Sequence, residues 1–160
     1  MVQQQPDRVL TLRPIGHVEN EVQKGQQAIW EDMESHIVLD ARWEEALQGL
    51  DEFSHLVVVF WLDRADETQV SLRVHPEARE DMPLVGLFAT RTPLRPNPVG
   101  LTTVELLSVE GTTLRVRGLD AFDGTPVLDI KPYLIQGDLK PEASVPGWLR
   151  RLWETHNSGE

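Results

Sequence analysis

The sequence predicts a single, mainly β domain: a compact β-barrel with short helices and a C-terminal helix. Three observations support this fold class. The 160 residues correspond to the length of one domain. Most apolar segments have the length and alternation of strands, and turn residues separate them at short intervals. Patterns with helical spacing are few, so we expect at least six strands, mostly joined by hairpins, and two helices, as in a mixed or antiparallel barrel.

The first half of the chain predicts three strands and one helix. Apolar and polar residues alternate well enough over Val9–Val18 to predict a strand, and His36–Leu39 is predicted as a short second strand. Asp40 is placed to cap a helix over Ala41–Leu50, where apolar residues recur at helical spacing. Phe53–Leu62 holds a continuous apolar run rich in β-branched and aromatic residues, which predicts a strand buried on both faces.

The second half predicts a long loop and four strands. Asp63–Pro83 is polar, and its apolar residues recur at neither helical nor strand spacing. We therefore expect a long exposed loop, and such loops are often functional. Leu84–Thr90 is predicted as a strand. Leu101–Val109 and the segment 114–118 are predicted to form a hairpin around Gly111, and a second turn precedes a strand over Val127–Leu134.

The chain ends in a predicted helix over Pro146–His156. Four of its apolar residues recur on one helical face: Trp148, Leu149, Leu152 and Trp153. We therefore expect residues 1–8 to be a flexible N-terminus, residues 9–140 to form the barrel, and residues 141–160 to form a C-terminal helix and tail.

Composition excludes several classes of protein. The values of 40% hydrophobic and 26% charged residues are ordinary for a globular domain. The absence of cysteine excludes a disulfide scaffold, a thiolate nucleophile and a cysteine zinc site, and it fits a reducing compartment. No apolar run approaches the ~20 residues that span a bilayer, and residues 1–6 lack the features of a signal peptide. We therefore expect a cytoplasmic protein that does not enter a membrane.

The net charge of −11 opposes non-specific binding of a polyanion such as nucleic acid. This charge is unevenly distributed, since residues 1–60 carry a net charge of −7 and residues 91–133 are neutral. The neutral block contains all the unusual motifs, which leaves room there for a local anion site.

Several common kinds of site are absent. No glycine-rich phosphate loop of the dinucleotide or nucleotide folds occurs, and no nucleophile elbow surrounds a serine. The five histidines lack the spacing of metal ligands, so we expect no metal site.

The loop Arg91–Gly100 has an unusual composition. Three prolines and a glycine punctuate ten residues that also carry Arg91, Arg95 and Asn97. Prolines lower the entropic cost of holding a loop in one shape, and guanidinium groups pair bidentately with carboxylates. The loop is therefore either a site for an anionic or carboxylate-bearing ligand or a stiffened connection with solvated arginines.

A second unusual segment runs from Asp120 to Tyr133. It brings three aspartates, a lysine and the only tyrosine of the chain around one tight turn. Asp129 and Lys131 are two residues apart, so both side chains should face the same side of a strand. The segment is either a functional cluster or a hairpin turn with a surface ion pair.

These segments closely resemble the signatures of the TrmO (TsaA-like) family of S-adenosylmethionine-dependent tRNA methyltransferases. The resemblance covers roughly residues 12–140. It rests on three main stretches, Gly86–Arg91, Arg95–Leu101 and Asp123–Tyr133, with support from Pro14–Gly16, Ala46–Leu50 and Phe53–Leu56. It implies a β-barrel unrelated to Rossmann-type methyltransferases, a homodimer with S-adenosylmethionine bound near the subunit boundary, and a tRNA partner.

The family's activity is methylation of N6 of a threonylcarbamoyl-modified adenosine beside the anticodon. The resemblance implies donor-binding residues at Arg91, Leu101, Asp120, Ala121, Phe122 and Asp123, with Asp63 and Arg64 as further candidates. On the acceptor side, the substrate-binding candidates are Arg95, Lys131 and His75, and the catalytic candidates are Asn97, Asp129 and Tyr133. Asp129 or Tyr133 is the candidate general base for the N6 proton.

Two alternatives remain open. We expect the stretch after the barrel to be too short for the additional C-terminal domain of longer bacterial members. Together with the acidic net charge, this supports a second hypothesis: methylation of a small metabolite or of another modified base. The third reading is a non-catalytic protein that binds the donor and signals through a partner.

Overall fold

The computed structural model describes residues 9–23, 26, 28–65, 68 and 70–158; the predicted flexible residues 1–8 lie outside this range. Two compact units are present. The first combines the described residues up to Asp63 with Gly100–Tyr133, and the second combines Arg64–Val99 with the residues from Leu134 onwards.

The described residues form eight strands and two α-helices. The strands are β1 (Gly16–Glu19), β2 (Glu34–Leu39), β3 (His55–Trp61), β4 (Arg73–Val74), β5 (Val85–Gly86), β6 (Val99–Glu110), β7 (Thr113–Arg117) and β8 (Pro126–Pro132). The helices are α1 (Ile135–Asp138) and α2 (Gly147–Ser158), and short 3₁₀ helices cover Trp30–Asp32, Ala41–Leu47, Leu50–Glu52, Pro76–Ala78 and Leu87–Ala89.

Six of these strands close into a barrel in the order β1-β2-β7-β6-β3-β8. β1 pairs antiparallel with β2 and β8, β2 with β7, β7 with β6, and β3 with β8. The predicted mainly β barrel is therefore confirmed.

Alternate residues of the barrel strands fill its interior. On β3 the side chains of Leu56, Val58 and Phe60 are buried, whereas Val57 and Val59 are only half-buried. The prediction that this strand is buried on both faces is wrong, because a closed antiparallel sheet has one interior and alternate side chains must face outward. The buried core also includes Val18, Ile37, Leu39, Leu47, Val104, Leu114, Val116, Leu119, Ala121 and Val127.

Two predicted elements of the first unit differ in the structure. The strand predicted over Val9–Val18 begins only at Gly16, where pairing with Leu39 and Val127 begins. The helix predicted over Ala41–Leu50 is a 3₁₀ helix that ends at Leu47. The carboxylate of Asp40 does not cap it and instead pairs with Arg42 at 3.0 Å.

The second unit contains a small hairpin in which β4 pairs antiparallel with β5. The loop predicted over Asp63–Pro83 therefore contains a strand, and the strand predicted over Leu84–Thr90 is limited to β5 and followed by a 3₁₀ turn. Strands of two residues cannot be recognised in the sequence, because two residues are too few to show the alternation of apolar and polar side chains.

Helix α2 confirms the predicted C-terminal helix. Leu152 is buried, Trp148 and Leu149 are half-buried, and Trp153 is 49% exposed. Across the described part of the chain, no helix has both the length and the apolar character needed to cross a membrane.

Candidate functional site

One end of the barrel gathers most of the predicted donor-binding residues of the first unit. β1 ends where β8 begins, since His17 pairs with Pro126, and β2 begins where β7 ends, since Glu34 pairs with Arg117. The loop after β1, the first residues of β6 and the segment between β7 and β8 therefore meet there. We call this region the Asp123 end of the barrel.

Leu101 and Asp120 come together at the Asp123 end. The neighbour of Leu101, Thr102, donates its side-chain hydroxyl to the carboxylate of Asp120. Leu101 is 54% exposed and Asp120 is also exposed, so an apolar side chain and a carboxylate are both open to a ligand. Gly100 lies directly on the buried ring of Phe60, which leaves no room for a side chain at that position.

Asp123 binds the loop that follows β1. Its Oδ1 accepts a hydrogen bond from the backbone N–H of Asn20 at 3.1 Å, and its Oδ2 accepts one from the side chain of Gln23 at 3.2 Å. Its own backbone N–H donates to the carbonyl of Val22 at 2.9 Å. In this structure Asp123 therefore fixes the position of the loop.

The two residues between the aspartates pack inward. Ala121 is buried, and its carbonyl accepts a hydrogen bond from the side chain of Asn20 at 3.0 Å. The ring of Phe122 meets the ring of Trp30 edge-on, with centroids 5.7 Å apart. Asp120 is thus the side chain of Asp120–Asp123 that is most open to a ligand.

Two depressions are lined by residues of the loop that follows β1. The first, of about 530 Å³, is lined by His17, Glu19, Asn20, His36, Asp123 and Gly124. The imidazole of His17 is 3.1 Å from the carboxylate of Glu19, and Glu19 faces His36 across the β1–β2 pair. Within the ranges that the structure describes, no three such side chains are placed to hold a metal ion.

The second depression, of about 690 Å³, combines apolar and acidic groups. Its lining residues are Glu21, Val22, Gln26, Ala28, Ile29, Asp32 and Met33. Ile29 is 75% exposed, so it offers an apolar surface beside two carboxylates. A depression of this size and character suits a ligand that has both a flat apolar part and positive charge.

The acceptor-side candidates on β8 lie elsewhere on the barrel. A bulge lets Phe60 pair with Val127 while Val59 pairs with Asp129. Asp129 and Lys131 consequently share the outer face, as predicted, and their charged groups are 2.6 Å apart. The other oxygen of Asp129 accepts the backbone N–H of Ile130 at 2.9 Å.

Tyr133 lies at the opposite end of the barrel from Asp123. Its backbone N–H donates to the carbonyl of His55 at 3.0 Å, and the two rings are 6.4 Å apart. Asp123 precedes β8 and Tyr133 follows it, so the strand separates them by roughly 20 Å at about 3.3 Å per residue.

In the second unit, internal contacts of Arg95 stabilise the proline-rich loop. Arg95 donates to the carbonyls of Thr90 at 2.9 Å and Thr92 at 3.4 Å, and its guanidinium lies 5.8 Å from the ring of Phe88. Arg91 and Asn97 are exposed. The structure therefore assigns Arg95 an internal contact and presents Arg91 to solvent.

His75 also has an internal partner in this unit. Its Nδ1 donates to the carbonyl of Met82 at 2.7 Å, because a carbonyl oxygen can only accept. Nearby, the hydrogen bond from Arg79 lowers the pKa of Asp81 below its ordinary value. Of the two further candidates at the end of β3, Asp63 is exposed and Arg64 is half-buried.

An ion-pair network crosses three barrel strands. Arg117 contacts Glu34 at 2.9 Å and Glu105 at 2.7 Å, and Arg115 contacts Glu34 at 3.0 Å. The hydrogen bond from Arg117, assisted by the charge of Arg115, lowers the pKa of Glu34 below its ordinary value. Glu34 and Arg117 begin β2 and end β7, so the network holds the Asp123 end together.

The fold and the site define a class: a small β-barrel domain with an exposed carboxylate, Asp120, at one end. Residues 18–139 match the tRNA-methyltransferase O N-terminal domain. The chain belongs to this family, which confirms the family expected from the motifs.

Individual relatives agree with this assignment. The chain is 44% identical over 131 residues to a probable S-adenosyl-L-methionine-binding protein of Methanothermobacter thermautotrophicus, covering 79% of this chain and 92% of the relative. It is 38% identical over 115 residues to the tRNA (adenine(37)-N6)-methyltransferase of Escherichia coli, covering 69% and 49%. A crystal structure of TrmO from Pseudomonas aeruginosa superposes with a TM-score of 0.69 at 28% identity, covering 88% and 62%.

The chain thus spans nearly all of one relative and about half of another. A probable S-adenosyl-L-methionine-binding protein of Archaeoglobus fulgidus, 45% identical over 107 residues that make up 67% of this chain, is covered for only 28% of its length. The predicted methyltransferase class and the predicted cofactor, S-adenosylmethionine, agree with the family and with the names of these relatives.

One residue that the sequence analysis did not single out is central to the site. Asn20 directly follows β1 and contacts Ser35, Ala121, Val22 and Asp123. The available signal was its position, because a short polar residue after a strand commonly makes local hydrogen bonds to the backbone. Its contacts with residues about 100 positions away have no signal in a single sequence.

Proposed function

We propose that this protein is an S-adenosylmethionine-dependent methyltransferase that modifies N6 of a threonylcarbamoyl-adenosine beside the anticodon of tRNA. The observation that carries the proposal is the Asp123 end. There the segment Asp120–Asp123 is hydrogen-bonded to the loop after β1, and residues that follow in this loop line the 690 Å³ depression.

The residues present fit the donor. S-adenosylmethionine, when bound, supplies an electrophilic methyl group on a sulfonium cation. The donor also carries an ammonium group, a ribose diol and a flat adenine ring. Asp120 and Asp32 are exposed carboxylates that can accept hydrogen bonds or balance positive charge. Val22, Ile29 and Met33 offer an apolar surface to the adenine ring.

The chain's main contribution is positioning. Methyl transfer is an in-line displacement, so holding the two reactants in line lowers much of the barrier. Hydrogen bonds of the chain itself join Asn20 to Asp120–Asp123 and Asp120 to Thr102 at the start of β6. Preorganised carboxylates also need little rearrangement as the charge of the donor changes.

We further propose that the active form is a homodimer. Within one chain, Tyr133 lies roughly 20 Å along β8 from the Asp123 end. A base at Tyr133 could therefore act on an acceptor at the Asp123 end only if a second chain supplied it. Light scattering should give twice the monomer mass, and a monomer with full donor affinity would contradict this part of the proposal.

The test is transfer of a radiolabelled methyl group from S-adenosylmethionine to tRNA. Matched tRNA preparations with and without the threonylcarbamoyl modification serve as substrate and control. We expect label only in the modified tRNA. Calorimetry of S-adenosylmethionine with the protein alone is measured in parallel, and no binding at millimolar donor would contradict the proposal.

A second candidate function has support from charge. The net charge of −11 disfavours a polyanionic acceptor, and the Methanothermobacter relative, which this chain covers almost completely, is named only as a probable S-adenosyl-L-methionine-binding protein. Label that enters a small-molecule fraction would favour methylation of a metabolite. Binding of the donor without any label transfer would favour a sensor.

A further inference from the structure

We infer that Asn20 is a positioning residue that sets the backbone of Ala121–Asp123 for donor binding. The inference rests on the proposed function, since it concerns the same site. Asn20 lies in the loop after β1, about 100 residues from the segment that it contacts.

Every polar group of the Asn20 side chain has a partner. Its Nδ2 donates to the hydroxyl of Ser35 and to the carbonyl of Ala121, both at 3.0 Å, and its Oδ1 accepts the backbone N–H of Val22 at 2.9 Å. Because an N–H can only donate and a carbonyl can only accept, these partners also fix the orientation of the amide.

The backbone of Asn20 adds a fourth contact. Its N–H donates to Oδ1 of Asp123 at 3.1 Å, while the N–H of Asp123 donates back to the carbonyl of Val22 at 2.9 Å. The loop after β1 and Asp120–Asp123 are therefore bound to each other in both directions, with Asn20 at the centre.

Two partners of the Asn20 amide are buried. Ser35 is fully buried and Ala121 is 3% exposed. Removal of the amide therefore leaves the buried Ser35 hydroxyl and the buried Ala121 carbonyl without this donor. The backbone before Phe122 and Asp123 would then move to find new partners.

Asn20 acts through its neighbours. Its amide groups are committed to protein atoms, so the effect reaches a ligand through the placement of Asp120–Asp123. Aspartate is nearly the same size but offers an oxygen where Nδ2 now donates, so it would face the Ala121 carbonyl with an acceptor. Asn20→Asp therefore removes the donor at nearly constant volume and adds a negative charge, whereas Asn20→Ala removes the donor without adding a charge.

The experiment compares donor affinity with stability. Calorimetry with S-adenosylmethionine is carried out on the full chain, on Asn20→Ala and Asn20→Asp, and on Val104→Ala as a control. Val104 is a buried core residue of β6, so its truncation lowers the thermal midpoint, and it takes part in none of the hydrogen bonds of Asn20. We expect at least a tenfold higher Kd for both Asn20 variants and less than a twofold change for Val104→Ala.

Hydrogen exchange supplies a readout that a uniform loss of stability does not produce. The N–H groups of Asp123, Gly124 and Thr125 are bonded to the carbonyls of Val22, Val18 and Phe122. We expect Asn20→Ala and Asn20→Asp to accelerate exchange at these three positions relative to the β3–β8 pairs. Val104→Ala should accelerate exchange throughout the barrel instead.

The outcomes separate this inference from the proposed function. If the unaltered protein binds S-adenosylmethionine and both Asn20 variants bind it equally well, the inference is overturned and the proposed function stands. The inference is also overturned if the Asn20 variants and Val104→Ala have equal thermal midpoints and the Asn20 variants lose no more affinity than Val104→Ala. If the unaltered protein does not bind the donor, the proposed function fails and the inference fails with it.

Discussion

The side-chain hydroxyl of Thr102 donates a hydrogen bond to the carboxylate of Asp120, and this contact joins the start of β6 to the segment after β7. The Asp120 side chain is exposed. Thr102 therefore orients the side chain of Asp120–Asp123 that is most open to a ligand.

We expect Asp120→Asn to weaken S-adenosylmethionine binding about tenfold, or about 1.4 kcal/mol, because the charge is lost. Thr102→Val should weaken it only a few-fold, because it removes the orientation and keeps the charge. Calorimetry measures both, and Thr103→Val, at an exposed neighbouring position of β6, serves as the control. Equal affinity in all three variants would exclude Asp120 from the donor site.

Arg91 should affect binding without affecting stability. It is exposed in the proline-rich loop, so Arg91→Ala should leave the thermal midpoint unchanged. If the arginine pairs with an anionic group of the donor, as the family resemblance implies, the Kd should rise about tenfold. Arg150→Ala, an exposed arginine on α2, is the control for loss of one charge. The same affinity loss in the control would indicate a general charge effect.

Gly100 should not tolerate a side chain. A Cβ at this position would overlap the ring of Phe60, with Cδ2 at only 2.8 Å, and the ring is buried in the core. We expect Gly100→Ala to lower the free energy of unfolding by about 1 to 3 kcal/mol in urea denaturation, as overpacking commonly does. Gly86→Ala, which meets nothing within 4 Å, should be nearly neutral. Equal stability of the two variants would contradict the packing argument.

The network around Glu34 should make stability depend on pH in the acidic range. Because Arg117 and Arg115 lower the pKa of Glu34, its stabilising effect is complete above the ordinary pKa of a glutamate. The effect is lost as the pH falls through the lowered pKa of the folded state. Glu34→Gln should therefore reduce the thermal midpoint at pH 7, and its difference from the unaltered protein should shrink as the pH falls towards 3.

Glu44→Gln is the control for the pH prediction, because Glu44 is an exposed carboxylate at the start of a 3₁₀ helix. Its thermal midpoint should follow that of the unaltered protein at both pH values. A difference in thermal midpoint between Glu34→Gln and the unaltered protein that is as large at pH 3 as at pH 7 would show that the variant acts through packing.

The faces of β8 show how local periodicity predicts part of a site. The two-residue spacing of Asp129 and Lys131 places both on one face, and they form an ion pair. The same rule does not extend to Val127, which faces inward because a bulge shifts the register between it and Asp129. A bulge depends on the partner strand, so the sequence of β8 contains no reliable sign of it.

Partners also set the ends of the elements. Asp40 is a suitable helix cap by its type, but its carboxylate pairs with Arg42 and the turns after it are 3₁₀. Val9–Val18 alternates like a strand, but pairing begins only at Gly16, where β2 and β8 provide backbone partners. Propensity thus located these segments, and contacts with other strands set their limits.

By itself, the sequence determined the β-barrel class, the family and the segments that carry its motifs. These features depend on alternation, turn residues and short stretches of residues, all of which are local along the chain. Only the tertiary structure decided that Asn20 joins Asp120–Asp123 at one end of the barrel while Tyr133 lies at the other. Strand pairing and burial decide such relationships between residues far apart in the chain, and neither acts within a single segment.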